Sequence, residues 1–307
     1  MASSSAPGSQ TSALAAGVAS YVIWGLIPLL FQALGRMGVT PWEILAQRIV
    51  WAVPAALLFV ILARHGAQAR IALRDPRVLS WLALSAALIV VTWAIYIWAV
   101  NTGRVLETSL GYYLTPLLNM AAGAVIFRER MNRIGLVAIG LAAVGVAIQA
   151  LALGHLPLVS LALALSFCGY GIVRKRVAAS AQVGLLFECV ILVVPALAYQ
   201  GWLWAQGANH LAAGPTPAFW LVVSGPVTAL PLVMFAWAAR RLPLSFMGFL
   251  QFIAPSITFV LGLLQGEPFT PARALSFAFI WGGAVVFAWG AWRRSRAVVA
   301  AIAETSP

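Results

Sequence analysis

The sequence predicts an all-α polytopic membrane protein on three observations. Of its 307 residues, 63% are hydrophobic and only 8% charged, with a mean hydropathy of +0.96, far from the roughly 25% charged content of soluble domains. The apolar residues lie in continuous runs of about 20, the length a helix needs to cross a hydrocarbon core of about 30 Å. The breaks between runs are short, polar and unevenly basic. Strands of a membrane barrel would be about ten residues long and would alternate in polarity, so a barrel is excluded.

The pattern places ten spans at 14–34, 41–62, 78–100, 106–127, 134–152, 157–173, 182–203, 218–239, 244–265 and 274–292. The first is not a cleavable signal: no basic segment precedes it, and Pro28 and Gln32 lie inside a full-length span. The second, "WEILAQRIVWAVPAALLFVIL", carries Arg48 seven positions in, the one basic residue that no loop explains. Cys168 and Cys189 fall within spans and read as small buried residues, with no disulfide or metal role.

Charge placement sets the expected topology. With both termini on one side, that side holds 15 basic residues: Arg64, Arg70, Arg74, Arg77, Arg128, Arg130, Arg133, Arg174, Lys175, Arg176, Arg240, Arg241, Arg293, Arg294 and Arg296. The other side holds three, Arg36, Arg104 and Arg273. Such a bias predicts cytoplasmic termini. It also accounts for the net charge of +12 without a nucleic-acid partner.

The two halves repeat one another. "YIWAVNTGRVLETSLGYYLTPLLNMAAGAVIFRER" aligns with "FAWAARRLPLSFMGFLQFIAPSITFVLGLLQGEP", placing Trp98 on Trp237, Pro116 on Pro255 and Gly123 on Gly262, with Glu129 within one residue of Glu267. Pro54 meets Pro195 in the second spans of each half, and Gly25 meets Gly169 in the first. The expected organisation is a tail at 1–13, five spans over 14–152, five more over 157–292, and a tail at 293–307. Five is odd, so the copies run in opposite senses, and inverted repeats of this kind characterise secondary transporters with a site near the bilayer midplane.

A polar stripe supports a lined pathway. Tyr112, Pro116, Asn119 and Gly123 fall within roughly 60° of one helix face, and the aligned residues are Gln251, Pro255, Thr258 and Gly262. The two prolines either serve as hinges that expose carbonyls or simply set kinks and close packing. Within the spans, ionisable groups are expected to be functional. Arg48 lies about 10 Å below the external surface, and Glu188 lies at a similar depth from the cytoplasmic one. The repeat aligns Glu188 with Gln47, so the two charges are near-symmetric. Arg48 either binds an anionic group or snorkels to the headgroups. Glu188 either binds a cation or proton or is a protonated packing residue. Glu107, near Arg104, is a second coupling candidate or a solvated helix-end charge; Glu43 and Glu129 read as first-turn and loop charges. Tyr21, Trp24, Trp93, Tyr96, Tyr112 and Tyr113 could wall a cavity or sit in interfacial belts.

Taken together, "SYVIWGLIPLLFQAL", "PWEILAQRIVWAVP", "WAVNTGRVLETSLGYYLTPLLN", "FRERM", "GYGIVRKRV" and "GFLQFIAPSITFVLGLLQGEPF" resemble the RarD-type permeases of the EamA family, in the drug/metabolite transporter superfamily. The resemblance spans nearly all of 14–292. It implies a fold of two five-helix EamA-type halves, a location in the bacterial inner membrane, and transport, outward in direction, of small metabolites or drugs. Relatives of this type carry a chloramphenicol-related label. Where the family pattern has His, Asn and Thr, this chain has Gln47, Thr115 and Cys189, which bears on substrate preference.

The expected function is alternating-access transport of a small amphipathic or zwitterionic solute without any cofactor. Arg48, Glu188, Tyr112, Asn119, Gln251, Thr258, Trp24 and Tyr96 are the binding candidates, Glu188 or Glu107 is the expected proton carrier, and Pro116 and Pro255 are the hinge candidates. A channel or structural membrane protein is the alternative. An intramembrane enzyme finds little support: His65, His155 and His210 all lie in loops, and no H-E-x-x-H, G-x-S-x-G or phosphate-binding glycine loop is present. Partners are a small-molecule substrate and the bilayer. The spaced glycines Gly135, Gly140 and Gly145, and Gly282, Gly283 and Gly290, serve internal packing or a homodimer contact.

Overall fold

The computed structural model describes residues 7–126, 133–239, 241–242, 247 and 250–304. Among the described residues there are helices and no strands: α1 (Pro7–Arg36), α2 (Pro41–Leu62), α3 (Gly66–Arg74), α4 (Pro76–Asn101), α5 (Val105–Ile126), α6 (Arg133–Leu153), α7 (Leu158–Arg176), α8 (Ala181–Ala205), α9 (Pro215–Ala239), α10 (Ile253–Leu264) and α11 (Pro271–Glu304). Eight of them, α1, α2, α4, α6, α7, α8, α9 and α11, are long and apolar enough to cross a bilayer. Their outward surfaces are oily, as exposed Leu62, Leu151 and Val194 show. This is a polytopic helical membrane protein. Arg128, Glu129, Arg130, Arg240 and part of the expected 244–265 span lie outside the described residues.

Local chemistry sets the helix starts. Thr40 caps α2 by accepting from the Glu43 N–H at 3.2 Å, with Pro41 in the first turn. Asp75 caps α4 by accepting from Arg77 and Val78, with Pro76 following. Ser180 caps α8 through Val183. In each case a side-chain oxygen satisfies an N–H that the helix itself cannot. The nine-residue α3, which the sequence reading left within a basic break, carries Arg70 and Arg74 beside exposed Ile71 and Leu73.

Helix α2 packs against both α8 and α9, α1 against α9 and α10, α5 against α7 and α10, α4 against α7 and α8, and α6 against α11. Small residues allow backbones to approach. A Cβ on Gly225 would overlap the Trp51 carbonyl carbon, so α9 rests directly on α2. Gly145 and Gly283 sit against the Ser276 and Ala138 carbonyls across the α6–α11 seam, and Ser276 donates to the Gly145 carbonyl at 2.7 Å. Those two glycines are therefore used in internal packing.

Candidate functional site

A cavity of about 380 Å³ lies among α1, α2, α4, α5, α7, α8, α9 and α10. Helical spacing decides which side chains reach it. On α5, Tyr112, Thr115 and Asn119 recur at three and four residues and share a face. Gln251, Pro255 and Thr258 line the wall formed by α10 and the turn before it. Trp24 and Tyr21 enter from α1, Trp93 and Tyr96 from α4, Phe167 and Tyr170 from α7, and Thr228 from α9.

Arg48 also lines this cavity and is 5% exposed. Its Nε donates to Thr228 Oγ1 at 2.7 Å, and its guanidinium carbon lies 4.3 Å from the Trp93 ring centroid and 5.5 Å from that of Phe31. Helices α2 and α9 begin at the same end of the bundle, where Glu43 meets His210, and are level where Trp51 meets Gly225. Thr228 is three residues beyond Gly225 and Arg48 three before Trp51, so the arginine is directed along the axis toward the middle to meet a residue whose backbone lies about 9 Å farther in. A snorkelling arginine would reach the other way. The aromatic faces and the hydroxyl stabilise the cation in place of water.

From Arg48 a row of rings crosses the cavity. Phe31 meets Tyr96, Tyr96 meets Tyr112 at 5.5 Å, Tyr112 meets Phe167 at 6.0 Å, and Phe167 stacks on Tyr170 at 5.8 Å. The Tyr170 hydroxyl donates to Glu188 at 3.3 Å. Glu188 is fully buried, accepts a short bond from Ser85, and lies 3.7 Å from Arg174 Nε. It is not a lining residue; it stands behind Tyr170. Arg48 and Glu188 thus have separate partners, and no ion pair joins them among the described residues.

The structure brings together Arg48, Tyr112, Asn119, Gln251, Thr258, Trp24 and Tyr96, with Pro255 in the same wall. Pro116 is buried one turn from Tyr112 on α5. The Pro255 carbonyl accepts from Ser109 at 2.8 Å, which ties α10 to α5. Glu107 is in the first turn of α5, where its carbonyl accepts from Ser160. Tyr113 faces elsewhere, with its hydroxyl 2.6 Å from Ser256. Cys168 and Cys189 are free and buried.

Four further residues escaped the sequence reading. Thr228 holds Arg48, and its only signal is a polar residue in an apolar span. Tyr170 joins the cavity to Glu188. Ser85 holds the carboxylate. Arg174, which counts with the loop charges by position, turns inward beneath Gly184 instead, where a Cβ would overlap its guanidinium. Glu43 is in the first turn of α2, as expected, but is 0% exposed and accepts from both the His210 N–H and its Nδ1 at 2.7 Å.

Ties between distant segments also occur at the Glu43 end. The Gln32 and Gln265 carboxamides hydrogen-bond reciprocally at 2.8 Å. Glu267 accepts from the Val105 N–H and, at 3.0 Å, from the Leu106 N–H, capping α5 from outside that helix.

Comparison with known proteins agrees with this architecture. Residues 11–151 match the EamA-like transporter family. Protein RarD of Streptomyces exfoliatus is 41% identical over 301 residues, covering 96% of this chain and 95% of that protein. An uncharacterized transporter of Pseudomonas aeruginosa is 41% identical over 282 residues, covering 91% and 94%. A crystal structure described only as that of a protein superposes with a TM-score of 0.58 over 92% of this chain and 98% of the other, at 20% identity, and shares the fold. The chain therefore belongs to the EamA-like transporter family as a RarD-type permease, a multi-pass transporter of the bacterial inner membrane.

Proposed function

We propose that the protein exports a small amphipathic or zwitterionic metabolite or drug by alternating access, driven by protons, through ten spans in two inverted halves with both termini cytoplasmic. The observation that carries this reading is the buried guanidinium of Arg48, directed inward into a cavity of about 380 Å³ walled by aromatic rings. Such a volume suits a small solute, and a fixed cation among rings selects one with an anionic end and an apolar or aromatic body. Asn119, Gln251 and Thr258 supply neutral hydrogen bonds farther along the wall.

The packing supports the inverted repeat. Exchanging the halves turns the α1–α9 contact into α7–α4, α5–α7 into α10–α1, and α2–α9 into α8–α4, and it maps α2–α8, α5–α10 and α6–α11 onto themselves. All these contacts exist. Glu188 suits proton coupling because Tyr170 is at once a wall of the cavity and a donor to the carboxylate. Solute in the cavity and a proton on Glu188 would then compete for, or cooperate through, one hydroxyl.

The test is flux in proteoliposomes from a mixed metabolite and drug panel, read by mass spectrometry with and without a proton gradient. Saturable transport with counterflow, dependent on the gradient and abolished for anionic solutes by Arg48→Ala, is the expected result. Undiminished flux in Arg48→Ala would assign the arginine to packing. Indifference to a collapsed gradient would remove Glu188 from coupling.

A further inference from the structure

The aromatic-walled cavity carries a charge that its walls do not balance. Arg48 is the only charged side chain among the described residues that line it; the others are aromatic, aliphatic or neutral polar. Glu188 is sealed behind Tyr170, with Ser85 and Arg174 as its own partners. Glu43, Asp75 and Glu267 are committed to His210 and to the starts of α4 and α5. A cation held inside a membrane bundle without a carboxylate partner is costly, so an anion that enters the cavity is favoured.

The guanidinium is arranged to take a carboxylate. Thr228 meets only its Nε, and the Thr228 hydroxyl in turn donates to the Ser224 carbonyl at 2.9 Å, so that hydroxyl is engaged. Neither terminal nitrogen of Arg48 has a partner among the described residues, and neither is sealed off from open surface. Those two nitrogens form an edge that can pair in parallel with both oxygens of a carboxylate. An ammonium group is poorly served at the same place. The Trp93 and Phe31 faces already bear the guanidinium, so neither is free for a second cation. In an α-amino acid the ammonium is one carbon from the carboxylate, and it would stand beside Arg48 with like charge and no anion at hand. Beyond Arg48 the rings of Tyr96, Tyr112, Phe167 and Tyr170 follow one another at 5.5 to 6.0 Å, a wall that suits another ring edge to face or stacked. Asn119 and Gln251 add neutral donors and acceptors to the same cavity.

On the proposed transport function, we infer that the solute is an aromatic monocarboxylate without an amino group, its carboxylate on the Arg48 terminal nitrogens, its ring among Tyr96, Tyr112 and Phe167, and a hydroxyl or carbonyl substituent on Asn119 or Gln251. This narrows the amphipathic or zwitterionic class to its anionic members. Four probes with one ring and one chain separate the charges: para-hydroxyphenylpropanoate, its α-amino counterpart tyrosine, the amine tyramine and the alcohol para-hydroxyphenylpropanol. Their binding to the full-length protein in detergent near neutral pH is read by isothermal titration calorimetry. The acid should bind about tenfold or more tighter than each of the other three. Arg48→Gln should bring the acid down to the level of the alcohol; if that variant fails to fold, the order on the wild type still decides. Tyrosine or tyramine binding as tightly as the acid, or no binding of the acid, would overturn the assignment. The same probes in proteoliposomes keep the two readings apart. Acid bound in the expected order but not carried across would support the ligand class and overturn transport, whereas tyrosine carried as fast as the acid would support transport and overturn the class.

Discussion

The two ends of the α2–α8 pair are built alike and bonded differently. At one end, the first turn of α2 is held by His210 from the segment after α8, with the His210 N–H and Nδ1 both on the fully buried Glu43 carboxylate at 2.7 Å. At the other, the cap of α8 is held from the segment after α2: His65 Nδ1 is 3.0 Å from Ser180 Oγ, and the Ser180 N–H donates to Gln68 Oε1 at 3.3 Å. In both, a histidine from beyond one helix clasps the start of the other, as exchange of the halves would require. One clasp has a carboxylate acceptor out of water, the other a neutral hydroxyl with longer bonds. Hydrogen bonds to a charged acceptor are roughly twice as strong as neutral ones, so the Glu43 end is the harder one to open. The Gln32–Gln265 bonds and the Glu267 cap on α5 reinforce that end. On the proposed inverted repeat, a symmetric framework would carry an asymmetric barrier.

The sharpest way to break this comparison is Glu43→Ala, which leaves the His210 donors facing an apolar wall. It should cost about 3 kcal/mol and lower the unfolding temperature in detergent by more than any change at the opposite clasp. Ser180→Ala removes the His65 contact and the cap on Val183 together and should cost about 1 kcal/mol in the same measurement. Equal losses in the two variants would remove the asymmetry.

The smallest effect belongs to Glu267, in the turn after α10. Burial raises its carboxyl above the usual carboxylate range, against the lowering effect of the Leu106 and Val105 N–H groups and Arg273. A group with a raised folded-state value holds its proton more tightly when folded, so its contribution to stability grows as pH falls through the carboxylate range and is least at neutral pH. The unfolding-temperature gap between the wild type and Glu267→Gln should therefore shift in favour of the wild type from about pH 7 to about pH 5. A shift toward the variant would mean that the two backbone donors outweigh burial.

Much of this was legible beforehand, for identifiable reasons. The second span, expected at 41–62, is α2 (Pro41–Leu62), because an apolar run and polar breaks mark both of its ends. The faces of α5 and α10 were legible because helical periodicity places Tyr112, Asn119 and Thr258 on one side whatever packs there. Helix α3 was missed because nine residues with Arg70 and Arg74 look like a basic loop. Arg174 counts as a loop charge by position and Glu43 as a first-turn charge, and the first turns inward while the second, in its expected turn, is buried, since position along the chain says where a residue's backbone lies and not what covers its side chain.

Composition and periodicity are enough to make this chain a bundle of membrane helices, to mark which faces of them are polar, and to put Arg48 within a span. Both are properties of a single helix in a bilayer. It takes the packing of the helices to hold Arg48 on Thr228 and direct it inward, to give Glu188 to Ser85, Tyr170 and Arg174, and to leave Gln200 with an unmet donor. Partner choice depends on which helices touch and at what level. A contact such as Gly225 on the Trp51 backbone sets that level, and it joins residues far apart in the chain that no local pattern connects.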